Sequence, residues 1–588
     1  MLLIKQLPKA QIGRFLPVLI AFALSACFAL FGFVTMKAPL VYTDPDEAMR
    51  LVQLRDFLAG QAWRDLVPHR LDPSFDTPMH WSRLVDLSMA FVYWPFTLIV
   101  SASTAEYIMA IVWPGVILGL SAWPLASIAR RFGGSDSAVV AIILILAASC
   151  VWQYLPGRLD HHTFQMMAAL LAIAATMARN NPKAAMGAGF ATALALSVGI
   201  ETLPYLVVLA YFFARDFIAG QRLKSVRAYA AALGLGSIAL FLLGTEPRFF
   251  FLTACDTLTI NVLMGVVTGA AGLYALAWWE EAHPHNLYRR CLMLATLAVI
   301  AAAAGLAMEP RCMGGVMGTF DQAIRPLWLN DVVEVQSFFT TLRITPLKAS
   351  VLYAFPLAGI LAIGVGFRSS LKRDADQIMM GCFAMALLVA FVQSRGVYYA
   401  GVFAIPFVAR QIVWVTRRIP SLEPLSTRFV WTALAVVSLT FLPLLLFNRG
   451  GAQTVKNDPA TFETCCTKDK MQFLASMPPG LALAPIDLGP AILLNTPHAV
   501  VSAPYHRFDR GIVLGQTILY KMNLQEAEIA IRSRGIDYIV AGYGEIYPLE
   551  HLIKTERPDW LEERSPPGAS LRIYAVKPMQ REARHATD

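Results

Sequence analysis

Apolar runs of about sixteen to twenty-four residues, each long enough to cross most of a bilayer's hydrocarbon as a helix, recur along the chain and stop near residue 447. The first extends from Leu16 to Val34. The others fall near 105–128, 137–155, 163–178, 184–200, 202–218, 227–244, 256–279, 289–307, 348–367, 377–392, 397–415 and 428–447. About thirteen transmembrane helices are predicted. Lys5, Lys9 and Arg14 precede the first run, whose length of roughly twenty residues and lack of a small-residue cleavage site before Lys37 predict a retained span, not a cleaved leader.

Basic residues alternate between loops as the positive-inside rule requires when the N-terminus is cytoplasmic. The inside loops then hold Arg130-Arg131, Arg179 with Lys183, Arg215 through Arg227, Arg289-Arg290, Arg368 through Arg373 and Arg417-Arg418. The outside segments are 37–104, 156–162, a hinge at Glu201, 245–255, 308–347, 393–396 and everything after about 447. The stretch Leu87 to Val100 would break this alternation as a span, so it is read as a helix at the outer interface.

From Asn448 the pattern changes. Charges become frequent, and short alternating segments, Leu481 to Ala484, Ala499 to Ser502 and Tyr538 to Ala541, predict strands between polar stretches such as Lys521 to Arg534. The expected organisation is a transmembrane domain over 1–447, with large outer loops 37–104 and 308–347, and an external α/β domain over 448–588.

Composition agrees with a polytopic membrane protein: 56% of residues are hydrophobic, only 15% are charged, and mean hydropathy is +0.54. The net charge of +9 is accounted for by the cytoplasmic basic loops, so nucleic-acid binding is not expected. The eight cysteines form no metal pattern. Cys27, Cys150, Cys255, Cys291 and Cys382 lie in or beside apolar runs, where they read as small core residues. Cys312, Cys465 and Cys466 are outside, and either of the last two could bridge to Cys312 in an oxidising compartment, the alternative being free thiols.

The candidate chemistry lies in three acidic constellations, all on the predicted outer face. A carboxylate held at a membrane boundary loses solvation unless a cation, a partner or water compensates it. Thr43-Asp44-Pro45-Asp46-Glu47 follows the first span, and its carboxylates suit an oxygen-loving divalent cation, Mg²⁺ or Mn²⁺. A helix N-cap and first turn is the alternative reading. Arg158-Leu159-Asp160-His161-His162 packs four ionisable side chains into one short loop, and in an extended chain Asp160 and His162 would face one ion. Glu334-Val335-Gln336 lies in the forty-residue outer loop.

Glu334-Val335-Gln336, after Asn330-Asp331-Val332-Val333, resembles the Ser-Val-Ser-Glu-His-Gln-Pro segment of the catalytic subunit of oligosaccharyltransferases. Val335 replaces the histidine and Ser337 the proline. Asp46, followed by Arg55-Asp56 and Ala59-Gly60, is similar to the first acidic motif of that family. Arg158, Asp160 and His162 resemble its second, and Arg395 with Tyr398-Tyr399 resembles the arginine that meets the lipid-linked phosphate. The external domain departs from the family in lacking the Trp-Trp-Asp-Tyr-Gly motif that recognises the acceptor sequon. Trp278-Trp279-Glu280 is no substitute, since the topology puts it in the cytoplasm.

The resemblance implies a C-type (GT-C) membrane glycosyltransferase: an α-helical polytopic domain with a small C-terminal α/β domain. The implied donor is a glycan on a polyprenyl phosphate or diphosphate, and the acceptor, a glycan, lipid or protein, stays open. A divalent cation held by Asp46, Asp160, His162 and Glu334 would stabilise charge on the departing phosphate, with Arg158 and Arg395 binding the same phosphate. Asp46 or Glu334 would orient the acceptor, and Asp44, His161, Gln336 and Tyr398 are possible additional members. The expected location is a bacterial inner membrane with the C-terminal domain in the periplasm. The rival readings are a lipid-linked glycan flippase, disfavoured by charges confined to one face, and a non-catalytic scaffold of glycosyltransferase ancestry.

Overall fold

The computed structural model describes residues 9–37, 44–370, 373–418, 467–541, 547–567, 569 and 571–578. Helices dominate: α1 (Lys9–Thr35), α2 (Pro45–Leu58), α3 (Arg83–Thr97), α4 (Ala102–Leu144), α5 (His162–Met177), α6 (Pro182–Val198), α7 (Leu203–Ile218), α8 (Leu223–Gly244), α9 (Ile260–Ala282) and α10 (Leu287–Leu306). After the short α11 (Ile324–Leu327) and α12 (Phe338–Ile344) come α13 (Pro346–Ser370), α14 (Asp374–Val392) and α15 (Gly396–Thr416).

Eight helices among the described residues are long and apolar enough to cross a membrane, against about thirteen expected. The protein is a multi-pass membrane protein. Helices α5, α6 and α7 fall on predicted runs but have 16, 17 and 16 residues. The predicted run 428–447 lies outside the described residues. The run expected at 137–155 is not one helix. Gly133 and Gly134, the latter at φ +80°, bend α4, which then ends at Leu144 ahead of a 3₁₀ turn over Ser149–Tyr154.

The chain folds as two compact units. One comprises 1–38, 80–319 and 331–452; the other comprises 39–79, 320–330 and 453–588. The second unit therefore takes in more than the C-terminal segment: α2 and a piece of the long outer loop belong to it.

In the first unit, helix directions sort the charges. Helices α5 and α7 begin near Asp160 and Glu201 and end near Arg179 and Arg215; α14 runs the other way, from Asp374 to the turn before Arg395. At the basic end, buried Arg179 binds Asp216 at 2.8 Å and Asp374 at 2.6 Å, and Arg222 reaches Asp216 at 3.0 Å. A 16-residue helix separates this network from the acidic end by about 24 Å, close to the thickness of the hydrocarbon core. Cys255 and Cys312 form a disulfide, so Cys312 pairs with neither Cys465 nor Cys466, which lie outside the described residues. Cys255 is a cross-link, not a core thiol, because the loop after α8 meets the turn after α10, where Asn261 also donates to Cys312 Sγ.

In the second unit, strands β1 (Leu481–Leu483), β2 (Ala499–Val500), β3 (Tyr538–Ala541), β4 (Leu561–Glu563) and β5 (Arg572–Val576) form one sheet ordered β2-β1-β3-β5-β4. The three predicted strands are β1, β2 and β3, parallel to one another; β4 and β5 add antiparallel pairs. Lys521 to Arg534 contains a helix, Leu524–Arg534, started by a capping box of Asn523 and Glu526. Residues 44–79 are stitched to this sheet. Leu71 bridges Val500, Arg70 donates to Thr496 O at 2.9 Å, Arg55 donates to Leu494 O at 2.8 Å, and Asp72 pairs with Arg534.

Candidate active site

The acidic end of the first unit gathers residues from four separate stretches of sequence. After the 3₁₀ turn, the chain reverses at Gly157, whose φ of +85° favours glycine, and its amide donates to Ala110 O at 3.0 Å. This reversal delivers Asp160, His161 and His162 to the start of α5, with exposures of only 4%, 6% and 5%. Their ligand atoms all lie within 4.8 Å of one another.

The two imidazoles sit between two carboxylates. Asp160 Oδ1 is 2.6 Å from His161 Nδ1, and Asp160 Oδ2 is 3.2 Å from His162 Nε2. On the far side, Glu201 Oε2 is 3.2 Å from His162 Nδ1 and 3.8 Å from His161 Nε2. Glu201 stands in the turn Ile200–Thr202 between α6 and α7. Its other oxygen pairs with Arg395 Nη1. Burial by itself raises both carboxyls; the charges of His162 and His161 on Asp160, and of His162 and Arg395 on Glu201, outweigh it and hold both well below the ordinary carboxylate range.

Arg395 links the cluster to the long outer loop. Its amide donates to Glu334 O at 3.1 Å, and its Nη2 is 3.8 Å from Glu334 Oε2. Ser394 completes the seam by donating through its amide to Gln336 O at 2.8 Å and through its hydroxyl to Val333 O at 2.7 Å. Arg158 donates to Gln153 Oε1 at 3.4 Å, and its charge also acts on Asp160. Tyr398 packs with Leu352, Ala390 and Val397, while the hydroxyl of its neighbour Tyr399 donates to Gln165 Oε1 at 2.9 Å.

Gln165 in turn lies 3.2 Å from His162 Nδ1. Gly199 makes room for it: a Cβ there would stand 2.1 Å from Gln165 Nε2. Trp81 is buried, its ring 5.9 Å from that of His161. The Nδ1 of His161, Nε2 of Gln165 and Oε2 of Glu201 are buried without a well-formed hydrogen bond, which fits a pocket built around an ion or a ligand.

The first acidic motif belongs to the second unit, and Thr43 lies outside the described residues. Asp44 is the N-cap of α2, its Oδ1 accepting from Asp46 N at 3.0 Å, with Pro45 at the first helical position and Asp46 in the first turn. Asp487, in the turn after β1, was not among the expected site residues. Burial and the nearby charge of Asp44 push its carboxyl up to about 6.

Glu201, Gln165 and Tyr399 are also additions to the expected site. Glu201 carried a signal, as the only charged residue between Lys183 and Arg215. Tyr399 stood beside Arg395 in the Tyr398-Tyr399 pair of the resemblance, without a role of its own, and Gln165 carried no signal beyond lying on an apolar helix.

No protein-family model and no curated protein sequence matches the chain. Solved structures do. An archaeal oligosaccharyltransferase, AglB from Archaeoglobus fulgidus in complex with an inhibitory peptide and a dolichol-phosphate, aligns with a TM-score of 0.65 and 16% identity over 96% of this chain and 74% of that one. The same enzyme tethered to an acceptor peptide containing the NVT sequon aligns with a TM-score of 0.63 and 16% identity over 97% and 76%. Its complex with zinc and sulfate gives 0.58 and 14% over 95% and 73%. The chain has the GT-C glycosyltransferase fold, in the form seen in the archaeal oligosaccharyltransferase.

Proposed function

We propose that this protein is an integral-membrane glycosyltransferase that moves a sugar or oligosaccharide from a polyprenyl-phosphate or polyprenyl-diphosphate donor to an acceptor at the outer face of a bacterial inner membrane. The observation that carries this reading is the continuous chain of contacts from Asp160 through His162 and Glu201 to Arg395 and Glu334. It joins a cation-binding chemistry to a phosphate-binding one at one end of a transmembrane bundle. The solved relatives by fold include one holding a dolichol-phosphate and one holding an acceptor peptide, which favours a lipid-linked donor.

The donor set suits a divalent cation. A carboxylate with two imidazoles favours Mn²⁺ over Mg²⁺, which prefers an all-oxygen shell. When bound, such an ion supplies positive charge opposite the phosphate that carries the leaving electrons. Asp160, His161 and His162 would hold it, and the Arg395 guanidinium would bind phosphate oxygens as a charge-assisted donor. Arg158, two residues before Asp160, adds positive charge beside them. Glu334 fixes Arg395 from its outer side. The polyprenyl tail lies in lipid against the apolar helices. Asp46 is assigned to orienting the acceptor nucleophile on its motif resemblance.

The outer-face assignment draws on the alternation of basic loops and on the Cys255–Cys312 disulfide, since both cysteines lie in predicted outer segments and disulfides persist in oxidising compartments. The test is mass spectrometry of lipid-linked sugars and surface glycans from cells carrying wild type, Asp160→Asn or Glu334→Gln at matched membrane levels. Accumulation of one undischarged carrier in both variants is expected. An unchanged glycan profile overturns the reading.

A further inference from the structure

Glu201 matches none of the motifs read from the sequence, yet its carboxylate touches both halves of the candidate site. One oxygen is 3.2 Å from His162 Nδ1; the other pairs with Arg395. The side chain is 23% exposed, so these contacts form in surroundings largely withdrawn from solvent.

His162 turns one nitrogen toward Asp160 and the other toward Glu201. Its Nδ1 faces two acceptors, Glu201 Oε2 and Gln165 Oε1, each at 3.2 Å. When Nε2 binds an ion, the proton left on the ring is at Nδ1, on the side of these two acceptors. Its Nε2 is directed at Asp160 Oδ2, 3.2 Å away, and this is the edge from which an ion shared with Asp160 is bound. A carboxylate behind a ligating imidazole fixes the ring and its tautomer and raises its basicity. The same carboxylate neutralises Arg395, which must be released before its guanidinium can grip a phosphate with its full charge.

We propose that Glu201 is a positioning residue that couples cation binding at His162 to phosphate binding at Arg395. It orients His162 for the ion and restrains Arg395 until an anion competes for it. This rests on the reading that a cation and the donor phosphate meet at this site.

The coupling predicts shifts in opposite directions, which a merely structural role would not produce. In the purified full-length protein, Glu201→Gln is expected to weaken Mn²⁺ binding, read by titration calorimetry, by roughly 10- to 100-fold. Without Mn²⁺, the same variant is expected to bind farnesyl phosphate several-fold more tightly than wild type, because Arg395 no longer shares its charge with a carboxylate. Glu201→Asp, which keeps the charge on a shorter arm, is expected to fall between the two. It serves as the test variant if Glu201→Gln is not recovered folded.

Unchanged Mn²⁺ affinity in the variant overturns the proposal and leaves the catalytic reading standing. Weakening of both ligands together with a lowered thermal midpoint also overturns it, in favour of a structural role. Failure of wild-type protein to bind Mn²⁺ overturns the proposal together with the cation-assisted reading beneath it.

Discussion

Arg395 is held to Glu334 through both main chain and side chain: its amide donates to the Glu334 carbonyl at 3.1 Å, and its guanidinium lies 3.8 Å from the Glu334 carboxylate. The first contact sets the position of the arginine independently of its charge. A substitution at Arg395 therefore removes charge without freeing the loop.

Arg395→Ala is accordingly expected to impair donor binding while leaving the protein folded. A charge-assisted hydrogen bond to phosphate contributes about 1.5–3 kcal/mol, or roughly a ten- to hundredfold rise in KM for the lipid-linked donor. Arg395→Lys keeps the charge, loses the planar fork and should fall between. Steady-state kinetics with a short-chain donor separates these cases, and an unchanged KM in Arg395→Ala excludes the phosphate assignment.

Asp160→Asn keeps the shape that accepts the His161 amide at 2.6 Å, so folding should survive. The lost ligand charge should weaken Mn²⁺ binding by more than the roughly 10- to 100-fold that outer-shell changes cost. Calorimetry checks the affinity, and circular dichroism checks that the helices persist.

The Cys255–Cys312 bridge closes a loop of 57 residues. The chain-entropy view gives such a cross-link about 4 kcal/mol, less where the membrane already orders the unfolded chain. Thiol labelling of denatured, unreduced protein should miss Cys255 and Cys312 and reach both after reduction. Labelling of either before reduction contradicts the pairing.

Asp487 makes the second unit sensitive to pH, with the sign set by its carboxyl, raised by burial to about 6 from the ordinary aspartate value of 3.8. Between these values the folded state retains a proton that the unfolded chain releases, so the contribution to stability is greatest below 3.8 and falls as pH rises to about 6. Above that the residual cost is of order 3 kcal/mol, at 1.36 kcal/mol per unit. Asp487→Asn should therefore raise the thermal midpoint at pH 7.5 and make no difference near pH 3.5. An equal effect at both pH values would refute the burial argument.

What the sequence by itself determined is the membrane domain and its motifs. Runs at 163–178, 202–218 and 377–392 became α5, α7 and α14, because hydrophobic length decides helix formation in lipid before any tertiary contact exists. Asp160, His162, Glu334 and Arg395 were legible because charges in so apolar a chain need a reason. The strands β1 to β3 were legible from short alternating segments. Only the tertiary structure decided which charges meet. Glu201 and His162 are 39 positions apart and Glu201 and Arg395 194 apart, and local periodicity carries no information over such separations. The membership of α2 in the unit of the C-terminal sheet and the choice of Cys255 as partner for Cys312 were likewise tertiary outcomes. Each depends on which helix ends the packing brings together, a property of the whole bundle that no single segment encodes.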